Sequence, residues 1–111
     1  MSDYTPDRWV IVRIKSEKHP MIDKILGSWY GGYAGSDEWR MSSGVTKVVD
    51  KDTYYEVHNH SGSIYELSKQ AEGMSAYTGS VYARLEEQLT EEGLGTIEII
   101  NIKDVNDDST H

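Results

Sequence analysis

The residue types best suited to chemistry concentrate between Ser28 and Gly44. This segment holds four of the chain's eleven aromatic residues, together with several glycines and Arg40. Trp and Tyr rings can stack on a base, a Gly-rich backbone can turn its N–H groups toward an anion, and Arg can hold a phosphate or carboxylate through two hydrogen bonds. The combination suits a nucleotide-like ligand. The alternative is that the glycines form a hairpin turn and the rings fill the core.

In the nucleotide hypothesis, Trp29, Tyr33 and Trp39 stack on the base. Arg40, two serines and the Gly31–Gly32 amides hold the phosphate or ribose, with residues of a later hairpin at the rim. No Walker or dinucleotide fingerprint accompanies the segment. The predicted ligand-binding residues are Trp29, Tyr30, Gly31, Gly32, Tyr33, Trp39, Arg40, Ser42, Ser43, His60 and Ser61.

A second group of candidate residues lies on one predicted strand. Alternate residues of a strand share a face, so Glu56, His58 and His60 are expected to line up together. Two His and a carboxylate can bind iron, manganese or zinc, which gives a metal-dependent enzyme as a third hypothesis. The same residues also fit a solvated hairpin face. The nucleotide hypothesis assigns no catalytic residue and expects no cofactor.

The elements that must position these residues are predicted from hydrophobic periodicity. Val10, Val12 and Ile14 alternate with Trp9 and Ile11, which is typical of a strand. The complete set of predicted strands is Trp9–Lys15, Met21–Tyr30, Glu38–Met41, Val45–Val49, Tyr54–His60, Ser63–Leu67 and Thr96–Ile102.

The period changes after Gly73. Tyr77, Val81, Leu85 and Leu89 recur every four residues, which predicts an amphipathic helix capped by Ser75 or Thr78 and ended by Gly93. We therefore expect an α+β fold: a small curved antiparallel sheet of about five to six strands, with one amphipathic helix in the C-terminal half and a last strand after it. Residues 1–103 would form a single domain and 104–111 a polar tail.

Charge and composition narrow the function classes. The formal net charge is −8 and there is no Cys, so disulfides and Cys-ligated metal sites are excluded. Residues 73–111 hold eight acidic against two basic residues, whereas residues 1–72 hold eleven against nine. Direct nucleic-acid binding is not expected, because it normally needs a basic patch. No apolar run suits a signal peptide or a membrane span, so a cytoplasmic protein is expected.

Several runs of this sequence resemble small uncharacterised proteins of tailed bacteriophages. They are Lys24–Tyr33, Glu38–Val45, Tyr54–Glu56, His60–Tyr65 and Gly73–Tyr77 with Val81–Tyr82. The resemblance spans about residues 9–85 and implies a phage origin and expression in the cytoplasm of an infected bacterial host. It also implies an accessory role against host defence, through sequestration of a nucleotide signal or binding of a defence protein. It transfers no catalytic residue.

Two further functional expectations follow. The leading hypothesis is a non-catalytic protein that sequesters a small nucleotide-derived ligand, with a symmetric homodimer able to complete the pocket. The alternative is a protein-binding inhibitor of a host defence or nucleic-acid-processing protein. It would act through exposed Trp and Tyr side chains, which are favoured interface anchors, or through the acidic helix.

Overall fold

The computed structural model describes residues 2–31 and 37–105. Within these ranges the chain forms seven strands and one α-helix, and the α+β class is confirmed. In chain order the elements are β1 (Arg8–Lys15), β2 (Ile22–Trp29), β3 (Glu38–Met41), β4 (Val45–Asp50), β5 (Tyr54–Asn59), β6 (Ile64–Ser68), α1 (Ala76–Glu91) and β7 (Thr96–Ile100). The predicted strands, the helix and the strand after it all occur, with ends that differ by no more than two residues.

The strands divide between two sheets, so the predicted single sheet is wrong. One sheet has the order β3-β2-β1-β7 and the other β4-β5-β6. All strand pairs in both are antiparallel. The last strand returns to pair with the first, which places β1 and β2 in the centre of the four-stranded sheet.

The division occurs at Ser42. Its N–H donates to the carbonyl of Ile25 at 2.9 Å, and its Oγ accepts from the N–H of Ile25 at 2.8 Å. The side chain thus completes the pairing with β2, after which the chain leaves the first sheet and begins β4 at Val45. Alternation in a sequence identifies a strand but not its neighbour, which is why the division could not be predicted.

The four-stranded sheet is the middle layer, because β1 is buried on both faces. One face packs against the three-stranded sheet, and the other packs against α1. The core on the first face comprises Trp9, Ile11, Ile25, Val45, Val57, Tyr65, Leu67 and Ile102. The core on the second comprises Val10, Val12, Leu26 and Ile97, covered by Met74, Tyr82 and Leu89 among others. Alternation along β1 therefore supplies two cores at once.

The helix α1 begins and ends as its sequence predicts. Of the two predicted caps, Ser75 is the one used, and its Oγ accepts from the N–H of Thr78 at 3.2 Å. Gly93 follows the last turn with φ +65°, the left-handed conformation that commonly ends a helix. The buried face contains Thr78 and Val81. Tyr77, predicted to lie on the apolar stripe, is exposed.

The last strand ends earlier than the sequence predicts. Ile102, predicted to end the last strand, lies instead in a short 3-10 helix and is buried in the first core. The predicted loop residues Gly32 and Tyr33 and residues 106–111 of the predicted tail lie outside the described residues. Within the described ranges, no helix has the length and apolar character needed to cross a membrane.

Candidate functional site

The residues ahead of β1 connect the two sheets at one end of the molecule. The backbone of Tyr4 forms a parallel bridge with Tyr65 of β6, and the N–H of Glu66 donates to the Tyr4 carbonyl at 2.9 Å. Three residues later, the N–H of Asp7 donates to the carbonyl of Ser28 in β2 at 2.8 Å. This N-terminal segment is therefore fixed to both sheets.

Trp29 packs on the N-terminal segment. Its ring meets the Tyr4 ring edge-on at a centroid distance of 6.4 Å, and its Nε1–H donates to the carbonyl of Thr5 at 3.1 Å. Gly27 allows the close approach of the segment, since a Cβ there would lie 3.1 Å from the Cβ of Pro6. The indole predicted to stack on a base is thus half-buried and holds the N-terminal segment in place.

Arg40 lies over the same tyrosine. Its guanidinium carbon is 4.6 Å from the centroid of the Tyr4 ring, a cation–π arrangement that fixes the plane of the group. The Tyr4 ring also packs on Tyr65, at 4.8 Å between centroids. Burial raises the pKa of Tyr65 to about 12, against the opposing effect of the Arg40 charge. Within the described ranges, Arg40 makes no hydrogen bond or salt bridge, so its donors can serve an external anion.

Trp39 projects from the opposite face of the sheet. The register pairs Trp29 with Glu38 and Ser28 with Trp39, and side chains alternate along each strand. Trp39 is therefore on the α1 side, whereas Trp29 and Arg40 are on the side of the three-stranded sheet. The Trp39 side chain is 40% exposed, and Tyr30, directly after β2, is 52% exposed.

Backbone amides in the predicted phosphate-binding loop already have protein partners. The N–H of Gly31 donates to Oδ1 of Asp37 at 3.0 Å, and the N–H of Tyr30 donates to Oδ2 of Asp7 at 2.8 Å. Gly31 has φ +54°, the left-handed conformation that favours Gly. Carboxylates rather than a ligand therefore accept from these two amides, and both carboxylates bring negative charge toward the predicted anion site.

The predicted serines and His60 lie at another place in the fold. Ser42 is buried and bonded to Ile25, as described above. The Oγ of Ser43 lies 3.0 Å from the Oγ of Ser61 and also accepts from the Ser61 N–H at 3.1 Å. Ser43 and His60 line a cleft of about 470 Å³. Among the described residues, those that line it are Met21, Ile22, Asp23, Lys24, Ser43, Gly44, Val45, Thr46 and His60.

Glu56 and His58 form a pair on β5. The Nε2 of His58 lies 2.8 Å from Oε2 of Glu56, and this hydrogen bond is the main cause that lowers the pKa of Glu56. His60 follows the strand end in a turn, where its backbone N–H donates to the carbonyl of Gly44 at 2.7 Å. Across the residues that the structure covers, no three His, Cys, Asp or Glu side chains are grouped to hold a metal ion.

The predicted ligand-binding residues therefore occupy three places. Trp29 and Arg40 meet through Tyr4, which sequence reasoning missed. Tyr30 and Trp39 are exposed near the β3 end of the sheet, and Ser43, His60 and Ser61 lie at the cleft. The sequence signal for Tyr4 is weak, because it precedes Pro6 in an extended segment without periodicity. The cleft residues Met21, Lys24 and Thr46 were also missed, since their spacing shows no motif.

Comparisons of the chain with protein-family models, curated proteins and solved structures returned no match.

Proposed function

We propose that this chain is a non-catalytic protein-binding module that contacts its partner through the Trp39 surface. This surface comprises the side chains of Tyr30 and Trp39 and the outer edge of β3. The observation that carries the proposal is the exposed indole of Trp39 on an edge strand. Trp and Tyr are the residue types most enriched among the dominant anchors of protein interfaces.

The position of β3 adds backbone groups to the same surface. In the part of the chain that the structure describes, β2 is the one strand that pairs with β3. An edge strand presents N–H and C=O groups along its outer side, and an extended segment of another protein can pair with them. Trp39 is central in the four-residue strand, so a partner that pairs with β3 would also cover its ring.

Charge favours a basic partner. Asp37 and Glu38 directly precede Trp39 in sequence, and Glu38 is exposed on the opposite face of the same edge strand. Trp39 also faces the same side of the sheet as α1, whose exposed residues include Glu86, Glu87 and Glu91. With a net charge of −8, the chain would attract a basic protein over distance and slow its escape on contact. The exposed Trp39 and the acidic helix, which the protein-binding hypothesis names as its two candidate surfaces, thus lie on the same side of the four-stranded sheet.

The resemblance to small phage proteins makes a bacterial protein the partner class to test first. The tagged chain is incubated with bacterial lysate, and the bound proteins are compared among wild type, Trp39→Ala and Tyr77→Ala. Tyr77 is the matched control because its side chain is 38% exposed but lies on α1. We expect a stoichiometric partner that Trp39→Ala loses and Tyr77→Ala retains, with unchanged circular dichroism for both variants. Equal capture by Trp39→Ala would contradict the proposal.

Sequestration of a nucleotide-derived ligand stays a prediction, and the same preparation tests it. Heat denaturation of the purified chain after exposure to cell extract releases any small molecule for mass spectrometry. A nucleotide released unchanged from wild type, and absent from Arg40→Ala, would favour sequestration. A converted product would indicate an enzyme. Capture of a protein without any released nucleotide favours the protein-binding proposal.

A further inference from the structure

The cleft introduced above exists because β3 covers only part of β2. The pairing of β3 extends over Leu26–Trp29, and Ser42 adds bonds to Ile25. Beyond that point the connection between β3 and β4 bends toward the three-stranded sheet. The first part of β2, at Ile22–Lys24, therefore has no strand on this side among the described residues. The cleft that results has a volume of about 470 Å³, which is in the range of sites that hold small molecules.

The rim of the cleft is fixed by hydrogen bonds between two turns. Three hydrogen bonds join the connection at Ser43–Gly44 to the β5–β6 turn at His60–Ser61. The His60 N–H donates to the Gly44 carbonyl (2.7 Å), the Ser61 N–H donates to the Ser43 Oγ (3.1 Å), and the Ser43 hydroxyl donates to the Ser61 Oγ (3.0 Å). A Cβ on Gly44 would lie 2.9 Å from Cδ1 of Ile22, so Gly at this position lets the Ile22 side chain pack closely against the turn. The backbones of the two turns are thus held in place before any ligand arrives, which reduces the entropy cost of binding.

The uncompensated charge in the cleft is positive. Asp23 is the one acidic residue among the described residues of the lining, and its side chain is 3% exposed. Arg13 binds both of its carboxylate oxygens, at 2.8 and 3.1 Å. Lys24 forms no salt bridge with any residue in the described ranges, and His60 adds a ring N–H donor. A cation and donors without a competing carboxylate favour an anionic group of a ligand.

The other wall of the cleft is apolar. Met21 and Ile22 are both large hydrophobic residues with exposed side chains at its mouth, and Val45 lies at its inner end. Covering such side chains with an apolar group removes their surface from water. The cleft therefore combines an anion-binding side with a hydrophobic side.

We propose that this cleft binds a small molecule that carries one oxyanion group and an apolar moiety. The oxyanion, a phosphate or a carboxylate, accepts hydrogen bonds from Lys24 and His60. The apolar moiety packs on Met21 and Ile22. This site is separate from the Trp39 surface, and neither proposal depends on the other.

Phenyl phosphate and benzoate are suitable probes, with inorganic phosphate and benzyl alcohol as the half-ligands. Binding is followed at millimolar concentrations by the amide NMR shifts of residues 21–24, 43–46 and 60–61. We expect saturable shifts with at least one of the two amphipathic probes, and weaker binding of each half-ligand. Whether phenyl phosphate or benzoate binds better identifies the oxyanion.

Lys24→Met is expected to weaken binding of the better probe by about 10-fold or more, the usual effect of losing a charged hydrogen-bond donor. His60→Gln is expected to weaken it less. The matched control is Lys51→Met, because Lys51 is an exposed lysine in the β4–β5 turn, at the opposite end of β4. Lys51→Met and Trp39→Ala should both bind as wild type does.

Three results would overturn the proposal. They are the absence of saturable shifts with either amphipathic probe, equal affinity for inorganic phosphate and phenyl phosphate, and unchanged binding in folded Lys24→Met.

Discussion

At the scale of single residues, Tyr4 is the side chain on which several others depend. Its ring contacts Trp29 and Tyr65 and lies under Arg40. Trp29 and Arg40 were predicted as ligand-binding residues because of their types and their closeness in sequence. In the structure the two come together through Tyr4, which is 25 residues from Trp29 in the sequence. A long-range contact of this kind leaves no periodic signal, so the sequence could not reveal it.

Tyr4→Ala should destabilise the protein by about 2–3 kcal/mol, below the 3–5 kcal/mol typical of a fully buried large aromatic, because Tyr4 is only half-buried. The loss comes from two ring contacts, the cation–π contact and the anchoring of the N-terminal segment. Urea unfolding measures it. Tyr77→Ala, at an exposed helix position, is the control and should stay within about 0.5 kcal/mol of wild type. An equally small effect for Tyr4→Ala would show that the segment is not fastened by its ring.

Tyr65 gives a prediction at alkaline pH. Burial raises its pKa from 10.0 to about 12, so the folded state holds the phenol proton more tightly than the unfolded state. This contribution is complete below pH 10 and is lost as the pH rises from 10 to 12, by at most about 1.4 kcal/mol per unit. Tyr65→Phe lacks the titrating proton. Its unfolding free energy, measured against pH, should therefore gain on that of wild type across this range, and a constant difference would refute the assignment.

At the scale of elements, most of the fold follows from local pattern. Alternation along β1 predicts the strand and the residues that share each of its faces. The four-residue period predicts α1, with Ser75 or Thr78 as its cap. The sheet partition could not be predicted, because alternation does not identify the neighbour of a strand and because the Ser42 Oγ, which accepts from the Ile25 N–H where the chain leaves the first sheet, gives no periodic signal. The candidate site has the same limit. Strand alternation, combined with the observed register, separates Trp39 from Trp29, although the two look like one cluster in the sequence.

The cap of α1 provides the test at this scale. Ser75→Ala should cost about 1 kcal/mol, since the Ser75 Oγ accepts from the Thr78 N–H and lies 2.9 Å from the Thr78 Oγ1. Thermal unfolding followed at 222 nm measures the effect. Ser80→Ala is the control, because Ser80 is exposed within the helix. If both variants unfold alike, Ser75 is not the functional cap.

At the scale of the whole molecule, the middle sheet separates two surfaces of different character. Trp39 and the acidic residues of α1 lie on one side of this sheet, whereas Trp29, Arg40 and the N-terminal segment lie on the other. The cleft forms a third place, where β3 stops short of the start of β2. The net charge of −8 therefore does not describe any one site, since the cleft presents Lys24 while the helix presents Glu86 and Glu87.

The most direct test of the protein-binding proposal is the affinity of the captured partner for three versions of this chain. Biolayer interferometry at fixed salt compares wild type, Trp39→Ala and Tyr77→Ala. If Trp39 is a dominant anchor, Trp39→Ala should raise the dissociation constant by about 30-fold or more, which corresponds to a loss of about 2 kcal/mol of binding free energy. Tyr77→Ala should change it by less than about 2-fold, within the near-neutral range of residues outside an interface. Equal affinities for wild type and a folded Trp39→Ala would contradict the account.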